Sequence, residues 1–165
     1  MARCLIIGCG CRGLSLTREL RAHGHAVRGT TRSVARSREI EAAGAEAFVG
    51  DPDRVATLAP ALDHVGVACV LLGSATGTRE QLEALHGTRL DMLLERMLDT
   101  TVRGVVYERA GSVEPGLLEA GAERVIHACE RSLIPYVLLG ADPADHEHWP
   151  GLAAACSAVE QVLSA

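Results

Sequence analysis

Two stretches of this 165-residue chain combine residue types suited to holding phosphate, Gly8-Cys-Gly-Cys-Arg-Gly13 and Thr30-Thr-Arg-Ser33. In the first, Gly8, Gly10 and Gly13 have the spacing GxGxxG, with Cys9, Cys11 and Arg12 between them. The physical reading gives each glycine a task. Gly8 permits a tight turn, Gly10 lets the backbone approach a pyrophosphate, and Gly13 lets a helix pack closely on a strand. The positive end of that helix then faces the anion. A glycine turn that only packs the fold is the alternative, but the apolar run before the loop and the Leu14, Leu16, Leu20 spacing after it supply the required strand and helix.

The second stretch bears on which dinucleotide is held. Sites for NAD carry an acid about 20 residues beyond the loop to bind the ribose 2′-hydroxyl, whereas NADP sites meet the 2′-phosphate with arginine. No Asp or Glu occurs between Leu20 and Arg38. Thr30, Thr31, Arg32 and Ser33 offer hydroxyls and a guanidinium instead, so NADP(H) is expected over NAD. Ser33 also suits a helix cap and Arg32 a solvated position, and these roles are compatible with phosphate binding.

The elements that must position these residues are visible as alternating patterns. Apolar strand-like runs cover Cys4 to Ile7, Ala26 to Thr30, Ala45 to Val49, Val67 to Leu72, Val102 to Tyr107 and Tyr136 to Leu139. Apolar residues recur at helical spacing in Leu14 to His23, Leu82 to Leu98 and Leu117 to Cys129, and a closing helix is expected from about Pro150 to Leu163. The alternation predicts a doubly wound, six-stranded parallel α/β sheet in the order 3-2-1-4-5-6, with residues 1–165 as one domain.

Ile6-Ile-Gly-Cys-Gly-Cys-Arg-Gly13, followed by His23-Gly-His-Ala-Val-Arg-Gly-Thr-Thr-Arg-Ser33, resembles the atypical short-chain dehydrogenase/reductases. The resemblance is to the NAD(P)-binding Rossmann branch that includes nucleoside-diphosphate-sugar epimerases and nitrogen-repression regulators. It implies that Asp51 and Pro52 form a turn beside the adenine and that Leu72, Gly73 and Ser74 run along the cofactor. Glu123 to Leu139 resembles the helix and strand before the family's Arg-Pro turn, although Gly140 stands where that arginine belongs.

Catalytic members use Tyr with Lys four residues later, the Lys lowering a phenol pKa that is ordinarily about 10. This chain contains no lysine; Gly111 follows Tyr107 and Gly140 follows Tyr136 at that spacing. Epimerase-like members also continue beyond strand 6 into a substrate-binding region, of which little is expected here. A cofactor binder or redox sensor is therefore favoured, with an NADPH-dependent oxidoreductase or epimerase-like enzyme using a different site as the alternative. Tyr107 and Glu108 close strand 5, where either could face a nicotinamide or pack beneath a loop. Cys9 and Cys11 could report oxidation or serve simply as loop residues.

Composition narrows the remaining possibilities. With 48% hydrophobic residues the chain can build a core. The net charge of -5 conceals a positive amino end, eight Arg against two acids in residues 1–40, where an anion would go. Four aromatic residues and no other basic region argue against nucleic-acid binding by stacking. No run reaches the ~20 residues of a membrane helix, and no signal-peptide pattern opens the chain, so a cytoplasmic protein is expected. Six cysteines without CxxC pairs read as reduced core residues. No metal site is expected, since His146-Glu-His148 lacks the HExxH spacing. The apolar residues between Glu80 and Thr101 exceed one core-facing stripe, which fits either a homodimer through residues 80–101 or a helix buried between its neighbours.

Overall fold

In the middle of the sheet, Cys4 to Ile7 and Val67 to Val70 are apolar on both faces, as burial beneath two helical layers demands. The computed structural model describes residues 1–140 and 151–165. Its strands are β1 (Arg3–Ile7), β2 (Ala26–Thr31), β3 (Glu46–Val49), β4 (Val67–Val70), β5 (Gly104–Glu108) and β6 (Tyr136–Leu139). All pair in parallel, in the order β3-β2-β1-β4-β5-β6, the expected doubly wound topology. The central strand shows the two-faced pattern plainly: Cys4 and Ile6 enter one core cluster, Leu5 and Ile7 the other.

On the Cys4/Ile6 face lie α1 (Cys11–Ala22), α2 (Ser37–Ala42) and α6 (Leu152–Ser164), contributing Leu16, Leu20, Ile40 and Val159. On the opposite face, short turns over residues 55–62 join α4 (Thr88–Leu98) and α5 (Pro115–Arg131). Burying these side chains stabilises the fold by about 1.5–3 kcal/mol for each large aliphatic group before the entropy of ordering is subtracted.

The pattern from Leu82 to Leu98 forms two helices, not one. Between α3 (Arg79–Leu85) and α4 the chain breaks at His86 and Gly87, where a Cβ on Gly87 would lie 2.5 Å from the Glu83 carbonyl oxygen. Thr78 starts α3 with a reciprocal capping box to Gln81. The break distributes the surplus of apolar residues. Leu90, Leu93, Leu94 and Met97 enter the core, Leu82 and Leu85 turn elsewhere, and Met92 and Leu98 stay exposed.

His146-Glu-His148 and its neighbouring acids lie outside the described residues. Among the described residues no helix is long and apolar enough to cross a membrane.

Candidate functional site

The strand order reverses about β1, which pairs with β2 on one side and β4 on the other. At the carboxyl ends of these strands a crevice is unavoidable, because successive connections leave in opposite directions. A cleft of about 430 Å³ opens there, with the 8–13 loop at its centre.

The three glycines of that loop occupy three different environments. Gly8 has φ +84°, and a Cβ there would stand 2.5 Å from the Leu71 carbonyl oxygen. Gly13 packs against β1, with a would-be Cβ 3.2 Å from the Ile6 side chain. Gly10 differs: nothing lies within 4 Å of a Cβ placed on it, so this face of the loop is open. Gly10 caps α1 without a side-chain hydrogen bond, and the first turn carries no acid. The free N–H groups of that turn therefore present partial positive charge to the cleft. The loop fits a pyrophosphate on geometry: a cradle without side chains, at an uncapped helix start.

The end of β2 forms one wall. Thr30 is buried and its Oγ1 accepts the Gly8 N–H at 3.3 Å, while its carbonyl accepts the Cys9 N–H at 3.2 Å, so this residue secures the loop. Thr31 Oγ1 accepts the Ser33 N–H at 3.1 Å, closing a turn that projects Arg32 and Ser33 outward along the cleft. Ser33 precedes a 3-10 turn, Val34–Arg36, without making a side-chain cap. That turn brings Arg36 into the same wall, held 3.2 Å from Glu39. Arg32 has no ion-pair partner among the described residues. Arg36 was not anticipated from the sequence, since only the turn places it beside Arg32.

After β3, Pro52 lines the cleft but Asp51 does not. The Asp51 carboxylate accepts the Asp53 N–H at 2.9 Å, and its own N–H donates to Thr57 Oγ1 at 2.8 Å. Asp51 thus shapes the turn, and Asp53 is the acid on the wall. After β4, Leu72 and Ser74 line the cleft. Gly73 between them faces inward; a Cβ there would collide with the Ala110 carbonyl. Gln81, Leu82 and Leu85 of α3 complete the enclosure.

Behind this wall lies an ion pair that spacing alone could not reveal. Arg12, in the first turn of α1, donates from Nε to Glu108 Oε2 at 3.0 Å and from Nη2 to Oε1 at 2.6 Å. Glu108, at the end of β5, is 1% exposed, and its Oε1 also accepts the Gly73 N–H at 2.8 Å. One carboxylate therefore joins the glycine loop, the β4 turn and β5. Arg12 still contributes to the lining, but its charge is largely spent on Glu108.

The candidate reactive groups are mostly sequestered. Tyr107 is fully buried, and its hydroxyl lies 2.7 Å from His86 Nδ1. His86 Nε2 lies 3.0 Å from the Leu72 carbonyl, an acceptor only, so that nitrogen carries the proton and Nδ1 accepts from the phenol. Burial raises the Tyr107 pKa and lowers that of His86, keeping both neutral. Tyr136 donates from its hydroxyl to Glu130 at 2.9 Å, on β6 at the sheet edge, and does not line the cleft. Burial pushes the Cys9 thiol up to about 11, whereas Cys11 is the exposed one of six free cysteines.

Similar architecture occurs in solved structures of NAD(P)-linked proteins. A short-chain dehydrogenase/reductase superfamily protein from Agrobacterium tumefaciens with bound NAD is 17% identical, with a TM-score of 0.67 over 98% of this chain and 62% of that one. Citrobacter sp. triphenylmethane reductase complexed with NADP(H) is 18% identical, with a TM-score of 0.62 over 83% of this chain and 48% of that one. UDP-glucuronic acid 4-epimerase from Bacillus cereus in complex with NAD is 13% identical, with a TM-score of 0.63 over 82% of this chain and 54% of that one. The shared fold is the Rossmann fold. The chain spans roughly half to three fifths of the length of these Rossmann proteins. No family model and no curated protein matches the sequence.

Proposed function

We propose that the chain binds a nicotinamide dinucleotide, NADP(H) in preference to NAD, and acts as a cofactor binder or redox sensor. The observation that carries this reading is the open face of Gly10 at an uncapped helix start, within reach of a wall bearing Arg32 and Arg36. The two guanidiniums suit a 2′-phosphate, and no acid on β2 competes for a 2′-hydroxyl. Its binding residues are Gly8 to Gly13, Thr31 to Ser33, Arg36, Pro52, Leu72 and Ser74, with Thr30, Asp51 and Gly73 shaping the loops around them. The sensor role rests on the absence of lysine from the sequence and on the engagement of both tyrosines outside the cleft.

Calorimetric titration with NADPH, NADP and NADH tests the reading. Charge-assisted hydrogen bonds contribute about 1.5–3 kcal/mol, so Arg32→Ala is expected to weaken NADPH binding by roughly 10- to 100-fold and to leave NADH nearly unchanged. Equal affinity of the unmodified protein for NADH and NADPH would remove the NADP assignment.

A second reading, an NADPH-dependent oxidoreductase or epimerase-like enzyme, is favoured by Ser74, Thr76 and Gln81, which bring two hydroxyls and an amide to the cleft beyond β4. Turnover of NADPH with a carbonyl substrate would establish it over the sensor. A homodimer through residues 80–101 belongs to either reading, with exposed Met92 and Leu98 as its apolar contacts. Sedimentation should show a concentration-dependent dimer that Met92→Glu weakens; a monomer throughout would exclude it.

A further inference from the structure

At the opposite end of the strands from the cleft, three elements bring five ligand-type side chains together. Glu19 lies on α1, His23 and His25 follow it, and Cys156 and Glu160 lie on α6. Donor atoms of Glu19, His23 and Cys156 all lie within 4.8 Å of one another. His23 Nδ1 stands 3.4 Å from Cys156 Sγ and 3.6 Å from Glu160 Oε1, and His23 Nε2 stands 3.6 Å from Glu19 Oε1. His23 and Cys156 are separated by 133 residues of sequence, so no local motif announces the group.

From His23 Nδ1, the separations to Cys156 Sγ and Glu160 Oε1 are those of ligands about a small cation; the 3.6 Å contact of Glu19 is to Nε2, the ring's other nitrogen, and Glu19 joins the same centre only within the 4.8 Å span of the group. Zinc bonds of about 2.0–2.3 Å place the corners of a tetrahedron about 3.3–3.8 Å apart. A proton on His23 Nδ1 serves the thiol sulfur or the Glu160 carboxylate, and in the other tautomer the Cys156 S–H donates to Nδ1 while Nε2–H faces Glu19. A dication serves thiolate, imidazole and carboxylate together.

The surroundings already resemble an outer shell. His25 is buried, and its Nδ1 accepts the Ala2 N–H at 3.3 Å, which leaves the proton on Nε2. Nε2–H then donates to Glu160 Oε1 at 2.7 Å, orienting that carboxylate toward His23. Metal-binding carboxylates are ordinarily fixed by such second partners.

We infer that Glu19, His23 and Cys156 form a binding site for one zinc-like divalent cation, with Glu160 or water as the fourth ligand. Thiolate, imidazole and carboxylate together favour Zn²⁺ over the hard cations Mg²⁺ and Ca²⁺. On binding, the Cys156 S–H bond breaks, its proton leaves to solvent, and the sulfur lone pair forms the bond to the metal. The site clamps α6 to α1. Remote from the cleft, it is independent of dinucleotide binding.

Titration of the full reduced, metal-free chain with Co²⁺ tests the site. One Co²⁺ per chain is expected, with a thiolate-to-cobalt charge-transfer band and the intense visible absorption of tetrahedral coordination, both abolished by one equivalent of Zn²⁺. Cys156→Ser should remove the charge-transfer band, and His23→Gln, at a half-exposed position, should weaken affinity more than about tenfold. Cys11→Ser should bind as the unmodified protein does. Circular dichroism establishes that each variant is folded; if Cys156→Ser is not, His23→Gln decides alone. Absence of the band, its persistence in Cys156→Ser, its loss in Cys11→Ser, or unchanged affinity in His23→Gln would each overturn the assignment.

Discussion

Glu108→Ala is expected to lower the free energy of unfolding by about 3–5 kcal/mol, measured by urea denaturation. The loss has three sources on one carboxylate. Arg12 would keep a buried guanidinium without its bidentate partner, the Gly73 N–H would lose its acceptor, and a cavity would open beneath the cleft wall. Breaking a buried pair from one side is costly because the surviving charge cannot recover its hydration. Replacing both partners with apolar residues, Arg12→Met with Glu108→Leu, should restore much of the stability, since no charge is then stranded. Dinucleotide affinity should nevertheless stay low in the double variant, because the ion pair also fixes the first turn of α1 against β5. A single variant within about 1 kcal/mol of the unmodified protein would show that the pair is not a clamp.

Alanine at Gly10 and at Gly8 should separate binding from folding. Gly10 has an extended backbone at φ -84°, which any residue adopts, and open space where the methyl would go. Stability should therefore change by no more than about 0.5 kcal/mol. The methyl would nonetheless occupy the approach of the pyrophosphate, and affinity for NADPH should fall by more than about 100-fold. Gly8→Ala reverses the pattern. Its positive φ and its contact with the Leu71 carbonyl place the cost in the fold, about 2–4 kcal/mol, and dinucleotide binding falls with it. Thermal unfolding and calorimetry on the two variants read both effects; normal NADPH binding by Gly10→Ala would remove the loop from the proposed site.

The order of the sheet and the tight turn at Gly8 were legible because both follow from local pattern. Strand and helix periods show in the order of residues, and a GxGxxG loop joins one strand to the next helix. What escaped was what the fold brings together from a distance. Arg12 meets Glu108 across 96 residues, and nothing at either position alone distinguishes a buried pair from two solvated charges. Arg36 reaches the wall through a single 3-10 turn, and Asp51 yields its place to Asp53 because its carboxylate is drawn into capping its own turn. The interruption at Gly87 was hidden by a helical period that continues across it. A periodic pattern reports which faces are apolar and says little about where the axis breaks.

The position of β1 has a consequence for how the chain is made. It precedes the sheet's other five strands in the chain and lies inside the sheet, with β2 on one side and β4 on the other. Its second edge waits for Val67–Val70, so a strand that is apolar from Cys4 to Ile7 leaves the ribosome with that side unpaired until β4 has emerged. At about 5–20 residues per second that interval lasts several seconds, during which another nascent strand can take the vacant edge. The topology that places the glycine loop at the centre of the cleft thus makes synthesis its most aggregation-exposed stage.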